Sequence, residues 1–376
     1  MKARERLREA RRIVVKVGTS TLTHPEGGLD LYRIDHLIRE LADQANFGHE
    51  MLLVSSGAIA AGMSRLGLKQ KPQSIPEKQA VAAIGQGVLM HIYEKIFAEY
   101  GRVMGQVLLT RENAVRHNQY LHSRDSLLAQ LEMGAIPVIN ENDAVAVDEI
   151  KIGDNDNLSA TVATLVDADA LIILSDIEGL YTANPATHPE AELIQEVPEL
   201  TPEIESLAGG AGTALGTGGM LTKLQAAKVA VNAGVNMVIA SGSRENVIRD
   251  VLQGKPVGTV FPAKESHLRV RQSWLAFGKR IVGDIVVDDG CAQAMRERGS
   301  SLLAAGITAV EGDFASGSTV RVLMQDGCEI ARGIVNYGSA DIAKMQGRQS
   351  DDFARLDLAD SGHDEVIHRD NMVLMI

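Results

Sequence analysis

The sequence predicts an α/β protein with a doubly wound, mainly parallel sheet, followed by a small β-rich C-terminal unit. Three observations carry this. Short apolar, β-branched runs of buried-strand type recur along the first 260 residues, beginning with IVVKV at 13–17. They alternate with stretches of helical spacing, the pattern of strands joined by crossover helices. From residue 284 onward the runs shorten and alternate, at 285–287, 320–323 and 330–335, with one helix around 292–298.

The bulk numbers bound the function. A chain of 376 residues is long enough for two domains. Aromatic residues make up only 3%, so base-stacking platforms are improbable and the core rests on Ala, Val, Ile, Leu and Met. The formal charge of −12 argues against general attraction to nucleic acid or to an anionic membrane, and an anionic substrate requires specifically placed Lys or Arg. Two cysteines, Cys291 and Cys328, give neither a disulfide framework nor a zinc pattern, which fits a reduced cytoplasm. Residues 1–12 hold six basic residues and two Glu without an apolar stretch, unlike a secretory signal, and read either as a helical extension or as a frayed end. No apolar run reaches the roughly 18 to 20 residues that span a bilayer, so a soluble protein is expected.

In chain order, strand 13–17 contains Lys16 and closes on Gly18, Thr19 and Ser20. Lys16 suits a phosphate, and equally a lysine snorkelling from a strand end. A helix over 29–45 carries Leu31, Ile34, Leu37, Ile38 and Leu41 on one face. Strand 51–54 ends in Ser55, Ser56 and Gly57 before a second helix. The small turn permits either close approach of a ligand, with Ser56 donating, or close helix–sheet packing. A long helix over 77–100, a strand over 103–109, a helix over 123–133 and a strand over 135–139 follow.

The stretch 139–160 concentrates carboxylates and carboxamides. Asn140, Glu141, Asn142 and Asp143 follow one strand; Asp154, Asn155, Asp156 and Asn157 follow residues 150–153 and lead into a helix, which they are placed to cap. Each cluster alone reads as ordinary turn chemistry, but two clusters about ten residues apart favour a site. Strand 170–174 ends in Ser175 and Asp176, whose loop can grip a nucleoside or simply connect elements. Residues 215–223, LGTGGMLTK, form a glycine-rich loop feeding a helix with Lys223 in its first turns. Successive N–H groups in such a loop form an anion nest, although the Walker A pattern is absent; the alternative is a bare flexible linker with Lys223 there by chance, and the position of Lys223 favours phosphate. Strands over 235–240 and 257–261 complete this part, and the domain boundary is expected within 273–284.

No metalloprotease or serine-hydrolase motif occurs. Two anion-binding loops, each with a Lys, facing carboxamide and carboxylate clusters fit phosphoryl transfer, which needs positioning and charge neutralisation more than a covalent nucleophile.

In this order and spacing, VVKVGTS, SSGAIAAG, VINENDAV, IKIGDNDNLSA, SDIEGLY and GTGGMLTK resemble the amino acid kinase family, in particular its glutamate-phosphorylating members. The likeness runs over essentially the whole chain, and the tail resembles a PUA domain. The resemblance implies an amino acid kinase domain at 1–275 and a PUA-like domain at 284–376. It implies transfer of phosphate from ATP, with Mg²⁺, to the γ-carboxylate of L-glutamate, giving L-glutamyl 5-phosphate in the first step of proline biosynthesis. Feedback inhibition by proline, a homo-oligomer (dimer or tetramer) and a cytoplasmic location come with it. By the same resemblance Lys16 and Lys223 flank the transferring phosphoryl group and Asp156 holds both lysines. Ser56, Asp143 and Asn155 bind glutamate with Asn140 and Asp154 nearby. Lys16, Ser175, Asp176, Thr217, Gly218, Gly219, Met220, Leu221, Thr222 and Lys223 line ATP, and no protein residue is assigned to the metal.

Two departures are visible: Ser175 stands where the family often has Thr, and the extension before residue 13 is longer than expected. A kinase of N-acetylglutamate or aspartate is the same-family alternative, and 139–160 favours free glutamate. RNA binding by the tail is the other class. Its eight Lys and Arg against sixteen Asp and Glu over 284–376 make phosphate-backbone binding improbable.

Overall fold

The structure, a computed structural model, describes residues 3–25, 27–110, 117–144, 155–185, 187–207, 219–264, 281–348, 353, 356, 358 and 364–374. The chain separates into two compact units, Met1–His267 and Leu268–Ile376. The boundary expected within 273–284 falls mostly outside the described residues.

In the first unit seven strands form one sheet: β1 (Arg12–Val17), β2 (Glu50–Ser55), β3 (Met104–Leu109), β4 (Ile136–Glu141), β5 (Ala170–Ser175), β6 (Asn236–Ser241) and β7 (Thr259–Phe261). Their spatial order is β3-β4-β2-β1-β5-β6-β7, and every neighbouring pair is parallel except β6 with β7. The sheet is therefore mainly parallel, and every residue of β5 and β6 is buried. Crossover helices cover both faces of such a sheet, which is why these strands read as unbroken apolar runs.

Alternation along each strand sorts the side chains between two cores. Ile13, Val15 and Val17 join Met51, Leu53, Ile172 and Leu174 under helices Leu31–Asn46 and Ile75–Glu99. Val14 joins Leu52, Val54, Leu171 and Ile173 under helices Asn155–Leu165 and Met220–Asn232. Lys16, two residues after Val14, projects to this second face.

β1 is the switch strand. The chain leaves it for β2 on one side and returns to it as β5 on the other, and in open α/β sheets the crevice beyond the carboxyl end of such a strand is where ligands bind.

Helix bounds differ modestly from those the periodicity predicts. Helix Leu31–Asn46 starts after Asp30, whose carboxylate accepts from the Arg33 N–H at 3.1 Å. Helix Ile75–Glu99 is opened by a reciprocal Ser74–Glu77 capping box. Helix His117–Glu132 begins six residues before the apolar pattern does. The N-terminal segment is a helix, Ala3–Arg8, with Leu7 fully buried. Arg4 donates to the carbonyl oxygens of Lys255 (2.7 Å), Val257 (3.0 Å), Gly258 (2.9 Å) and Gln195 (3.0 Å), which ties the helix to the chain around β7.

The second unit is a five-stranded sheet of β8 (Asp284–Val287), β9 (Ile307–Glu311), β10 (Thr319–Met324), β11 (Glu329–Ile334) and β12 (Met372–Leu374), in the order β12-β11-β10-β8-β9. Ile285, Val287, Val320, Val322, Met295 and Tyr337 belong to its core. β9 and β12, which the sequence does not announce, are the two edge strands, and their residues are mostly only half-buried.

Candidate active site

Three charged side chains converge beyond the carboxyl end of β1. Lys16 lies near the end of β1, Asp156 in the first turn of helix Asn155–Leu165, and Lys223 in the first turn of helix Met220–Asn232. The two helices pack together through small residues, including Ala160, Ala163, Ala226 and Ala227, so their N-termini come close. Lys16 Nζ sits 2.5 Å from Asp156 Oδ1, and Lys223 Nζ sits 3.1 Å from Oδ2. Thr222 Oγ lies 3.0 Å from the same Oδ2 and 2.8 Å from the Gly219 carbonyl oxygen, so its single proton has two acceptors in reach.

Asp156 is fully buried, and each lysine is 6% exposed. Burial pushes the Asp156 carboxyl up, but the two ammonium groups outweigh it and hold the pKa below the ordinary carboxylate range, at about 2. Its place in a helix first turn also favours the anion.

A second, uncharged cluster adjoins these groups. The Asn155 side-chain amide faces three acceptors: the Ser55 carbonyl oxygen at 2.8 Å, Ser56 Oγ at 2.9 Å and Asn140 Oδ1 at 3.0 Å. Asn140 Nδ2 donates to Gln86 Oε1 at 2.8 Å. The turn after β2 is held by the Ser56 N–H donating to the Val17 carbonyl and by Gly57 at φ +100°, a conformation that favours glycine. Asp143, two residues beyond β4, is half-buried, and burial raises its carboxyl above the ordinary value. It makes no hydrogen bond or ion pair with any described residue.

The structure thus brings together Lys16, Asp156, Lys223 and Thr222 in one group, and Ser56, Asn140 and Asn155 in another. Ser175 Oγ donates to Asp176 Oδ1 at 3.1 Å at the end of β5, the strand beside β1. Gly219 caps helix Met220–Asn232; Met220 is half-buried on its first turn and Leu221 is 52% exposed. Asp154, Thr217 and Gly218 lie outside the described residues. Asn155 and Asp156 lie within helix Asn155–Leu165 and do not cap it from outside, and this turns their side chains back toward β1 and β2; Asp154, the other candidate cap, is outside the described residues. Sequence reasoning passed over Gln86 and gave Ser55 no role beyond ending its strand. The one available signal was GQG at 85–87, two glycines flanking a glutamine inside a helix where glycine is costly.

Buried paired lysines at the switch point, with donor groups beside them, suit a phosphate-bearing ligand and a small polar partner. Comparison with known proteins agrees. The profile of the Amino acid kinase family matches residues 11–241, and that of the PUA domain matches residues 283–356. Glutamate 5-kinase of Moorella thermoacetica is 51% identical over 369 residues, covering 98% of this chain and 97% of its own. Glutamate 5-kinase of Carboxydothermus hydrogenoformans is 51% identical over 373 residues, covering 99% and 100%. That of Caldanaerobacter subterraneus subsp. tengcongensis is 50% identical over 364 residues, covering 97% and 98%. With the family profile matched over residues 11–241 and relatives about half identical over nearly its whole length, this chain belongs to the amino acid kinase family.

Proposed function

We propose that the chain transfers the γ-phosphoryl group of ATP to the γ-carboxylate of L-glutamate, giving L-glutamyl 5-phosphate and ADP. The observation that carries the reading is the sharing of one buried carboxylate, Asp156, by the two buried lysines Lys16 and Lys223. Each ammonium has three N–H donors, and Lys16 uses one of them on Asp156, so others can meet phosphoryl oxygens. A γ-carboxylate oxygen attacks phosphorus, the bond to the β,γ-bridging oxygen breaks, and ADP leaves with that electron pair. No general base is needed, because the attacking carboxylate is ionised at neutral pH. Lys16 and Lys223 neutralise charge that builds on the transferring group.

Ser56, Asn140 and Asn155 are proposed to hold the amino acid, and Asp143 to pair with its α-ammonium. A half-buried carboxylate whose charge is disfavoured in isolation gains most from a bound cation. Gly219, Met220, Leu221, Thr222, Ser175 and Asp176 are proposed to line the nucleotide. Mg²⁺ enters as the nucleotide's counter-ion. Among the described residues no group of three or more His, Cys, Asp or Glu is placed to cage it, and no step is assigned to it. The same proposal takes residues 1–275 as the kinase domain and 284–376 as a PUA-like domain. It also includes a cytoplasmic homo-oligomer inhibited by proline, which titration of proline into the assay and sizing in solution would test. Among the described residues no helix is long and apolar enough to cross a membrane.

The test is ATP consumption with Mg²⁺ against L-glutamate, N-acetylglutamate and L-aspartate, with hydroxylamine to trap an acyl phosphate. Hydroxamate from glutamate alone supports the reading. Hydroxamate from one of the others instead reassigns the substrate within the family.

A further inference from the structure

We infer that Gln86 is a positioning residue for the amino-acid substrate, acting through Asn140; the inference rests on the kinase reading above. The side-chain amides of Gln86, Asn140 and Asn155 form a relay ending at Ser56, and two backbone groups fix its polarity. The Glu141 backbone N–H lies 2.9 Å from Asn140 Oδ1 and can only donate, so that atom is the amide oxygen. The Ser55 carbonyl lies 2.8 Å from Asn155 Nδ2 and can only accept, so that atom is the nitrogen.

It follows that Asn140 must present its NH₂ to Gln86, and that Gln86 must answer with its oxygen, as it does at 2.8 Å. The Gln86 nitrogen is then turned away; it is buried and finds no acceptor among the described residues. The relay therefore uses Gln86 through its oxygen, as an acceptor. At the other end, the two protons of the Asn155 NH₂ are shared among three acceptors in reach, the Ser55 carbonyl, Asn140 Oδ1 and Ser56 Oγ; because that nitrogen cannot accept, the Ser56 hydroxyl proton points to another acceptor, the polarity a substrate carboxylate needs.

Helix Ile75–Glu99 supports the same turn from two further positions on one face. Gly85 lies so close to the preceding helix, Ala58–Leu66, that an added Cβ would stand 1.7 Å from the Ala58 carbonyl oxygen, which brings Gln86 up to Asn140. About two helical turns on, Tyr93 Oη lies 2.8 Å from Ser55 Oγ. Ser55 donates its own proton to the Ser56 carbonyl at 3.0 Å, so Tyr93 is the donor in that pair. A single helix therefore aims both the turn after β2 and the amide at the end of β4.

The experiment measures kcat, and KM for glutamate and ATP separately, by hydroxamate formation and ADP release, in the unmodified enzyme, Gln86→Met, Gln86→Ala, Asn140→Ala and Gln86→Met/Asn140→Ala. Either Gln86 variant should raise KM for glutamate about tenfold while KM for ATP moves less than about twofold, a loss confined to one substrate. The double variant should be no worse than Asn140→Ala, because Gln86 works through Asn140. Two substitutions at position 86 guard against one that fails to fold, and thermal midpoints identify it. An unchanged KM for glutamate, an equal rise for ATP, or multiplied losses in the double variant would overturn the inference while leaving the kinase reading intact. No hydroxamate from the unmodified enzyme would overturn both.

Discussion

Lys16 Nζ lies 2.5 Å from Oδ1 of Asp156, a carboxylate with no solvent exposure. The pair joins the switch strand of the sheet to the first turn of a helix on its covered face, and Lys223 joins the same carboxylate from a second helix at 3.1 Å. One side chain thus fixes the separation of two cations, and removing it leaves two buried ammonium groups facing each other.

Asp156→Asn keeps the shape and removes the charge. Breaking a buried ion pair from one side costs about 3–5 kcal/mol, so a lower urea midpoint is expected together with a fall in turnover of roughly 10² or more. Equilibrium unfolding and steady-state kinetics on the same preparation check both. Retention of full turnover would separate this carboxylate from the chemistry.

Lys223→Ala tests the cation rather than its holder. Loss of one group stabilising the transition state corresponds to about 10²–10³ in kcat. The fold should survive, because the neighbouring Ala226, Ala227 and Ala230 keep helix Met220–Asn232 packed. Circular dichroism with kinetics decides it, and unchanged turnover would remove Lys223 from the mechanism.

The pH dependence of stability follows from the sign of the Asp156 shift. Its folded pKa of about 2 lies below the unfolded value of about 3.9, so its contribution is full above the unfolded value and is lost as pH falls through the folded one. The difference in unfolding free energy between the unmodified protein and Asp156→Asn should therefore shrink from about pH 4 toward pH 2. A difference flat across that window would contradict the ion pairing.

Asp143 has the opposite sign. Burial raises its folded pKa, so the carboxylate costs stability above that value, and the cost disappears below the unfolded one. Asp143→Asn should raise the thermal midpoint of the ligand-free protein at pH 7 and also raise KM for glutamate. A lower midpoint with unchanged KM would show that the carboxylate serves the fold instead.

Arg4→Ala removes a guanidinium bound to four carbonyl oxygens, as a test of the N-terminal helix. A loss of about 1–3 kcal/mol and faster proteolysis near residue 10 are expected, with kcat essentially unchanged. Unaltered stability would make the helix a passive extension.

The parts legible in the sequence share a physical reason. β1, β2, β4, β5 and β6 are buried on both faces and read as apolar runs, and the polar residues breaking those runs at their ends, Ser56, Asn140 and Ser175, are the ones the fold collects on one edge. The convergence of Lys16 on Asp156 and Lys223 was not legible from spacing. It depends on Lys16 sharing a sheet face with Val14, and on two helices crossing closely through alanines. Gln86 and Tyr93 were hidden for a different reason: helix Ile75–Glu99 has small or apolar residues on several faces, so two polar groups on its buried side leave no periodic mark. β9 and β12 were missed because edge strands are short and half-exposed.

The most direct test of the central claim follows the oxygen. L-Glutamate labelled with ¹⁸O in both γ-carboxylate oxygens is turned over with ATP and Mg²⁺ in the presence of hydroxylamine, and the released phosphate is analysed by mass. If the carboxylate attacks phosphorus, hydroxylamine then cleaves at the acyl carbon and the phosphate retains the bridging oxygen, so each phosphate should carry a single ¹⁸O. Unlabelled phosphate would mean that water, not the substrate carboxylate, receives the phosphoryl group, and would contradict the account.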